Sequence, residues 1–314
     1  MLGAMALAVL PFAAHSQTFP SKPIRIVVPF PAGLGPDVEM REVAQRLSSS
    51  LGQAVIVDNR PGANGRVAAE MVIRSAPDGY TLLLTTPTTL TAEYIYPSRP
   101  YDSRVDLTPV SLVSTTVFGL YVSAESKHQN LADFVREAKE KPGSVTNGIL
   151  GNGGAHHLMG AWFGDVTGAK LRFITYQSSP PYTDAAAGRI DSVFESVLPV
   201  LGLIKGGKLR PLAVSGNQRH RQLPDVPTFK EAGYADFNPI AWSGLTAPGK
   251  TPKAAIDRIS AAVAEIVRSP DFVRLSEERS RNPIGSSPEE FASFLEQERT
   301  RWSSIITRHG IRAD

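Results

Sequence analysis

The sequence predicts an α/β fold in which two cycles of strand and helix each wind a mostly parallel sheet with flanking helices. Three observations predict it. Short β-branched runs alternate with amphipathic helical stripes, an order that implies right-handed, doubly wound βαβ crossovers. Gly and Pro, at 26 and 25 of 314 residues, exceed ordinary usage and mark many turns rather than a helical bundle. The length suits two lobes or one large α/β unit better than a minimal domain.

Ile24 to Phe30 (IRIVVPF) reads as a buried strand. It runs into Pro31-Ala32-Gly33-Leu34-Gly35-Pro36-Asp37. A helix follows, with Met40, Val43, Leu47 and Leu51 on one face and Gly52 as its stop. Strand Ala54–Val57, a helix near Arg66–Ser75 and strand Tyr80–Thr85 complete the first cycle. The second starts near Phe118–Ser123. It continues through helix Leu131–Lys139, strand Val145–Ile149, helix His156–Phe163, strand Leu171–Thr175 and helix Tyr182–Ala187. Strands near Arg189–Phe194 and Leu209–Ser215 close it. The tail is helical: Thr251 reads as an N-cap with Pro252 at the first helical position, and Ile256, Ile259, Val263, Ile266 and Val267 form one stripe. Ser287-Pro288-Glu289-Glu290 is a capping box. Phe291, Phe294, Leu295, Trp302, Ile305 and Ile306 repeat behind it at helical spacing, as core packing, and Gly310 is the stop.

Composition removes whole function classes. Hydrophobic residues at 42% and charged residues at 20% exclude disorder, collagen and coiled coil. With no cysteine, the chain has no disulfide, thiol nucleophile, iron–sulfur cluster, thiolate zinc site or lipid-bearing N-terminal cysteine. Lys and Arg number 33 against 30 Asp and Glu, which is no footprint for nucleic acid. Met1 to Pro20 carry no charged side chain, and Met5 to Ala14 is an apolar run of signal-peptide length. Ala14-His15-Ser16 supplies the small residues of a cleavage site, so residues 1–16 are expected to be a signal peptide. The basic segment that normally precedes such a run is missing, as if the true start lay upstream or the chain were clipped. The alternative is a disordered apolar tail. No later segment reaches ~18 uninterrupted apolar residues, so a soluble periplasmic protein is expected.

The functional signal lies in glycine-rich strand-to-helix turns. One is Pro31 to Asp37; the other is Gly148 to His156, with Gly151, Asn152, Gly153, Gly154 and Ala155 at its centre. Glycine lets a ligand approach main-chain N–H groups. A helix N-terminus leaves such groups unpaired and carries roughly +0.5 charge, so it binds an anion without Lys or Arg. Thr85-Thr86-Pro87-Thr88-Thr89 offers hydroxyls after a third strand. In open α/β sheets ligands sit beyond the carboxyl ends of strands, and two facing turns would pinch a small carboxylate.

Several segments then make the chain recognisable: Pro20-Ser21-Lys22-Pro23-Ile24-Arg25, Val27-Val28-Pro29-Phe30-Pro31-Ala32-Gly33, Val57-Asp58-Asn59-Arg60-Pro61-Gly62-Ala63, and Ala76-Pro77-Asp78-Gly79-Tyr80-Thr81-Leu82-Leu83. Gly151-Asn152-Gly153, Leu223-Pro224-Asp225-Val226-Pro227-Thr228 and Ser287-Pro288-Glu289-Glu290-Phe291 follow in the same order. From Phe19 to its end the chain resembles the Bug family, the periplasmic solute receptors of tripartite tricarboxylate transporters. The resemblance implies a two-lobed, type II periplasmic binding protein fold. It implies a carboxylate ligand held by main-chain amides, waters and hydroxyls, and delivery to a permease of a large and a small subunit. A role as ligand sensor without transport is a second implication.

The chain departs from the family at the turns. Where the family usually has Ala-Gly-Gly-Gly-Thr-Asp, it has Ala32-Gly33-Leu34-Gly35-Pro36-Asp37. Gly154, Ala155 and His156 replace hydroxyl residues; Thr175-Tyr176-Gln177-Ser178 replaces Pro-Tyr-Lys-Gly; Phe194-Glu195-Ser196 replaces Phe-Asp-Asn. These changes favour a bulkier or less charged acid, aromatic or bearing an amide or amine. Glu195 reads equally as the acceptor of a ligand amine and as a solvated strand-end carboxylate. The expected ligand-binding residues are Phe30, Ala32, Gly33, Leu34, Gly35, Asp37, Thr86, Thr88, Asn152, Gly153, Gly154, Ala155, His156, Gln177, Ser178 and Glu195.

Other motifs fail on context. Gly244 to Thr251 matches a Walker A pattern, but Lys250 would stand outside the following helix and only amphipathic helices come after it. Gly33-x-Gly35 and Gly151-x-Gly153 lack the third glycine of a dinucleotide fingerprint. His156 and His157 point about 100° apart on a helix and cannot chelate together. Trp242 reads as core or as cleft lining. The expectation is a monomeric receptor without cofactor, metal or chemistry, with one lobe of about 20–117 plus 218–314 and another of about 118–217. The rival is a cleft hydrolase acting on small esters or amides through His156, Glu195 and the Thr85–Thr89 hydroxyls.

Overall fold

The computed structural model describes residues 19–96, 98–99, 101–177 and 179–313. The expected signal peptide at 1–16 and Ser178 lie outside the described residues. The first part of the chain runs β1 (Ile24–Val28), α1 (Gly35–Leu51), β2 (Val55–Asn59), α2 (Arg66–Ile73), β3 (Thr81–Thr85), α3 (Pro87–Ile95) and α4 (Ser103–Asp106). A long strand β4 (Leu107–Ser123) leads to α5 (Leu131–Glu140), β5 (Thr146–Leu150), α6 (Ala155–Thr167), β6 (Arg172–Tyr176), α7 (Tyr182–Ala186), β7 (Ser192–Ser196), α8 (Val197–Lys205) and β8 (Leu209–Val214). Then come β9 (Ile240–Pro248), α9 (Lys253–Val267), α10 (Pro270–Glu278), β10 (Arg281–Pro283) and α11 (Pro288–His309).

β4 generates the two-lobed shape. Its first half pairs with β9, and its end, Phe118–Ser123, pairs with β7 and β8 in the other sheet. Each lobe has a parallel trio from βαβ units: β2-β1-β3 in one, β6-β5-β7 in the other. The crossing strands β4, β8 and β9 run antiparallel to their neighbours. The sheets are therefore mixed, parallel where helices connect strands and antiparallel where the chain passes between lobes.

Alternation in β1 places Ile24, Ile26 and Val28 on one face, against Met40, Val43 and Leu47 of α1 and Ile259 and Val263 of α9. Val27 faces the other way, onto Ala68, Ala69 and Val72 of α2. Each such buried aliphatic side chain contributes roughly 1.5–3 kcal/mol. Phe163 and Phe194 of the second lobe and Phe237, from the returning part of the chain, meet edge to face with centroids 5.2–5.7 Å apart. Trp162 of α6 meets Trp302 of α11 at 5.7 Å, which ties the last helix to the second lobe.

Two local expectations are revised, and the rejection of the Walker-like match holds. Thr251 does not cap α9: its hydroxyl donates to the Pro248 carbonyl (2.7 Å) and Pro252 holds the cap position. The Gly244–Pro248 part of the Walker-like run lies within β9, and Lys250 adopts a left-handed φ of 68° outside α9. The Thr-rich segment after β3 is a helix, with Thr86 as N-cap and Pro87 in the first turn.

Candidate functional site

Strands β1, β3, β5 and β7 each end at a turn that opens a helix, and these turns meet at one cavity of about 650 Å³ between the lobes. Among the described residues, four helix N-termini contribute to its wall: Gly35 and Pro36 of α1, Thr86–Thr88 at α3, Gly154–His156 at α6, and Ser196, Leu198 and Pro199 at α8. Two come from each lobe. The rest of the wall is largely apolar, with Phe30, Phe118, Leu150, Met159 and Trp242. Such a site offers main-chain N–H groups and positive dipole ends to an anion, and a dry surface to its hydrocarbon.

Of the residues expected at the site, Phe30, Gly33, Gly35, Thr86, Thr88, Gly154, Ala155 and His156 line the cavity. Others shape the turns instead. Asp37 is buried and folds back on its own loop: its carboxylate accepts from Gly33 N (2.7 Å), Arg41 Nε (3.0 Å) and Asn59 Nδ2 (2.7 Å). Burial alone would raise its pKa, but these three donors outweigh burial and hold the carboxyl below its ordinary value. Ala32 and Leu34 are exposed outside the wall. In the second turn, Gly153 N donates to His157 Nδ1 (3.2 Å) and Asn152 Oδ1 accepts from Thr175 Oγ1 (3.3 Å), so both brace the loop. Gly151 and Gly153 have φ of 67° and 74°, which only glycine adopts without strain. Gln177 is exposed and outside the wall.

The first-turn N–H groups of α6 precede its internal ladder, which begins at Leu158 N donating to Gly154 O (3.1 Å). At α3, Thr86 N–H donates to Thr89 Oγ1 (2.6 Å), and the Thr86 and Thr88 hydroxyls lie 3.0 Å apart. The Thr85 hydroxyl is turned away to Thr246 (2.7 Å).

Glu195 stands behind His156 rather than in the wall. Its Oε1 accepts from the Ser196 N–H (2.7 Å) and hydroxyl (3.0 Å), and its Oε2 lies 3.5 Å from His156 Nε2. The His156 ring packs edge-on against Phe118 at 6.1 Å. Burial would raise the Glu195 pKa, yet His156 and the Ser196 donors outweigh it and lower it below the ordinary 4.5. A depressed carboxylate stabilises the fold above its unfolded-state pKa, and that stability is lost as pH falls through the lowered value. Glu195→Gln is therefore expected to lower the melting temperature at neutral pH and to flatten the acid limb of the profile below about pH 4.5, where variant and wild type converge.

Four further wall residues carry no local signal in the sequence. Glu39, Asn64, Arg279 and Arg281 all border the cavity. Arg281 Nη2 donates to Glu42 (3.0 Å) and its Nη1 lies 3.5 Å from Glu39; Arg279 also pairs with Glu42. Trp242 belongs to both core and cleft: it is 2% exposed, lines the cavity, and donates its indole N–H to Glu298 (2.8 Å). Among the described residues no cluster of three His, Cys, Asp or Glu could hold a metal, and no helix is long and apolar enough to cross a membrane.

Residues 39–311 match the model of the tripartite tricarboxylate transporter family receptor. The chain is 32% identical over 309 residues to the protein BugT of Bordetella pertussis, covering 98% of this chain and 95% of that one. Among solved structures, R. palustris Rpa4515 with adipate superposes with a TM-score of 0.79 at 30% identity, covering 94% and 99% of the two chains. A TctC solute-binding protein from Polaromonas gives 0.81 at 28% identity, covering 93% and 100%. With most of its length inside the family model and a full-length relative at this identity, the chain belongs to the tripartite tricarboxylate transporter receptor family.

Proposed function

We propose that the chain is a periplasmic receptor that captures an organic acid between its lobes and delivers it to the membrane permease of a tripartite tricarboxylate-type transporter. The observation that carries this reading is the convergence of four helix N-termini, two from each lobe, on one apolar-walled cavity. An acid carboxylate meets the amides and dipole ends. Phe30, Phe118, Met159 and Trp242 favour a hydrocarbon or aromatic body beside it. The adipate held by the R. palustris relative supports the same ligand class.

The lobes of this receptor are about 20–117 with 218–314, and 118–217. They close by bending where β4 and the β8–β9 connection cross. The receptor works as a monomer and performs no chemistry. His156 supports this over the hydrolase reading, because its Nε2 faces the Glu195 carboxylate and has no hydroxyl as hydrogen-bond partner. The test is thermal denaturation of protein unfolded, dialysed and refolded to strip bound ligand, against mono-, di- and aromatic carboxylates and their neutral amides. At least one acid is expected to raise the melting temperature while its amide does not. Silence from every acid, or steady conversion of an ester or amide, would contradict the proposal.

A further inference from the structure

We propose that Arg281 is a side-chain anion anchor in the cleft and holds the far carboxylate of a diacid whose near carboxylate sits at the helix N-termini. This rests on the receptor reading above and adds a specificity-determining residue to it.

Arg281 begins β10, which pairs with β4 and brings the side chain to the cavity wall. The side chain is 9% exposed. Its Nη2 is satisfied by Glu42 at 3.0 Å, but Nε and Nη1 are buried with no hydrogen-bond acceptor. A guanidinium cannot shed its proton, so buried N–H groups on it are left wanting an acceptor. The carboxylate beside Nη1, that of Glu39, stays 3.5 Å away and accepts instead from the Ser114 hydroxyl. Arg279, Arg281, Glu39 and Glu42 balance in charge, so what the cluster lacks is an acceptor rather than a counter-charge. Both Nε and Nη1 are closed off from the cleft in this conformation, so the guanidinium turns toward the wall for a ligand carboxylate oxygen to supply that acceptor through a charge-assisted bond.

Position sets the shape of the guest. The N-terminus of α1 already holds a resident carboxylate, Asp37, and Pro36 has no N–H to give. Glu39, against which Arg281 rests, follows Gly35 by four residues on α1, about one helical turn or roughly 5–6 Å along the axis. An acid gripped at the α6 and α3 turns therefore extends its other end toward Arg281, past the apolar walls.

The test uses calorimetry on the full-length protein with linear diacids of four to eight carbons and benzene dicarboxylates, each beside its monomethyl ester. Wild type is expected to bind at least one diacid about 30-fold more tightly than its monoester, and Arg281→Gln to erase that ratio while leaving monoester affinity within about threefold. Arg281→Lys should restore part of the ratio. A circular-dichroism melt of each variant separates loss of folding from loss of binding. If the monoester binds as well as the diacid, or if Arg281→Gln weakens both alike, the anchor is refuted and the receptor reading stands. If no acid of either kind binds, both fall.

Discussion

A single methyl group at position 154 is expected to weaken acid binding by about 100-fold, the loss of one or two charge-assisted hydrogen bonds. Gly154 is the N-cap of α6 and lines the cleft. A Cβ built there lies 2.7 Å from the Leu150 carbonyl oxygen, a backbone atom with no rotamer to escape into. The second turn must move, and the first-turn amides of α6 move with it. The backbone at Gly154 (φ −73°, ψ 171°) suits any residue, so Gly154→Ala brings no conformational strain of its own. The aromatic core around Phe163 and Phe194 is untouched, and a cooperative melt should persist. Gly202→Ala in α8 is the control: its Cβ meets nothing within 4 Å. It should leave affinity unchanged within about twofold and raise stability by up to ~1 kcal/mol. Calorimetric titration of both variants with the tightest wild-type acid checks the contrast.

The largest stability loss is expected from Glu298→Ala. Glu298 lies on α11, is 1% exposed, and accepts the indole N–H groups of Trp242 (2.8 Å) and Trp302 (2.9 Å) while pairing with Arg301. Its removal leaves two buried donors without an acceptor and a void between them. The expected cost is about 3–5 kcal/mol, or a fall of roughly 10 °C in melting temperature. Glu298→Gln retains one oxygen with two lone pairs and should lose less than half as much. Because Trp242 also lines the cleft, Glu298→Ala should shift its fluorescence and weaken ligand binding in the same sample. A loss below 1 kcal/mol would show that the indoles find other acceptors.

The strand–helix alternation was legible because it rests on local periodicity. The α1 stripe of Met40, Val43, Leu47 and Leu51 is buried as its spacing predicts, with Gly52 in the left-handed cap. The Ser287–Glu290 capping box forms as written. β9 was not legible. Its Ala, Ser and Gly residues carry no strand periodicity, yet the strand lies at the centre of the sheet, paired with β3 and β4. Gly244 is required there because the Phe291 ring occupies the place of its Cβ, a contact 47 residues distant that no local pattern encodes. At the cleft, glycine and threonine turns could be read because helix N-termini have a sequence grammar. Arg281 could not, since β10 is three residues long and only its pairing with β4 brings it to the wall. Asp37 and Asn152 brace their turns, a role the sequence does not reveal, because a short polar side chain that braces a loop looks the same in sequence as one that meets a ligand.

The most direct measurement is a crystal structure of the protein with its tightest-binding acid. A carboxylate is expected between the lobes, its oxygens about 2.7–3.2 Å from main-chain N–H groups of the α6 turn and of a first-lobe turn. An acid seated outside this cavity, or gripped there by one lobe alone, would contradict it.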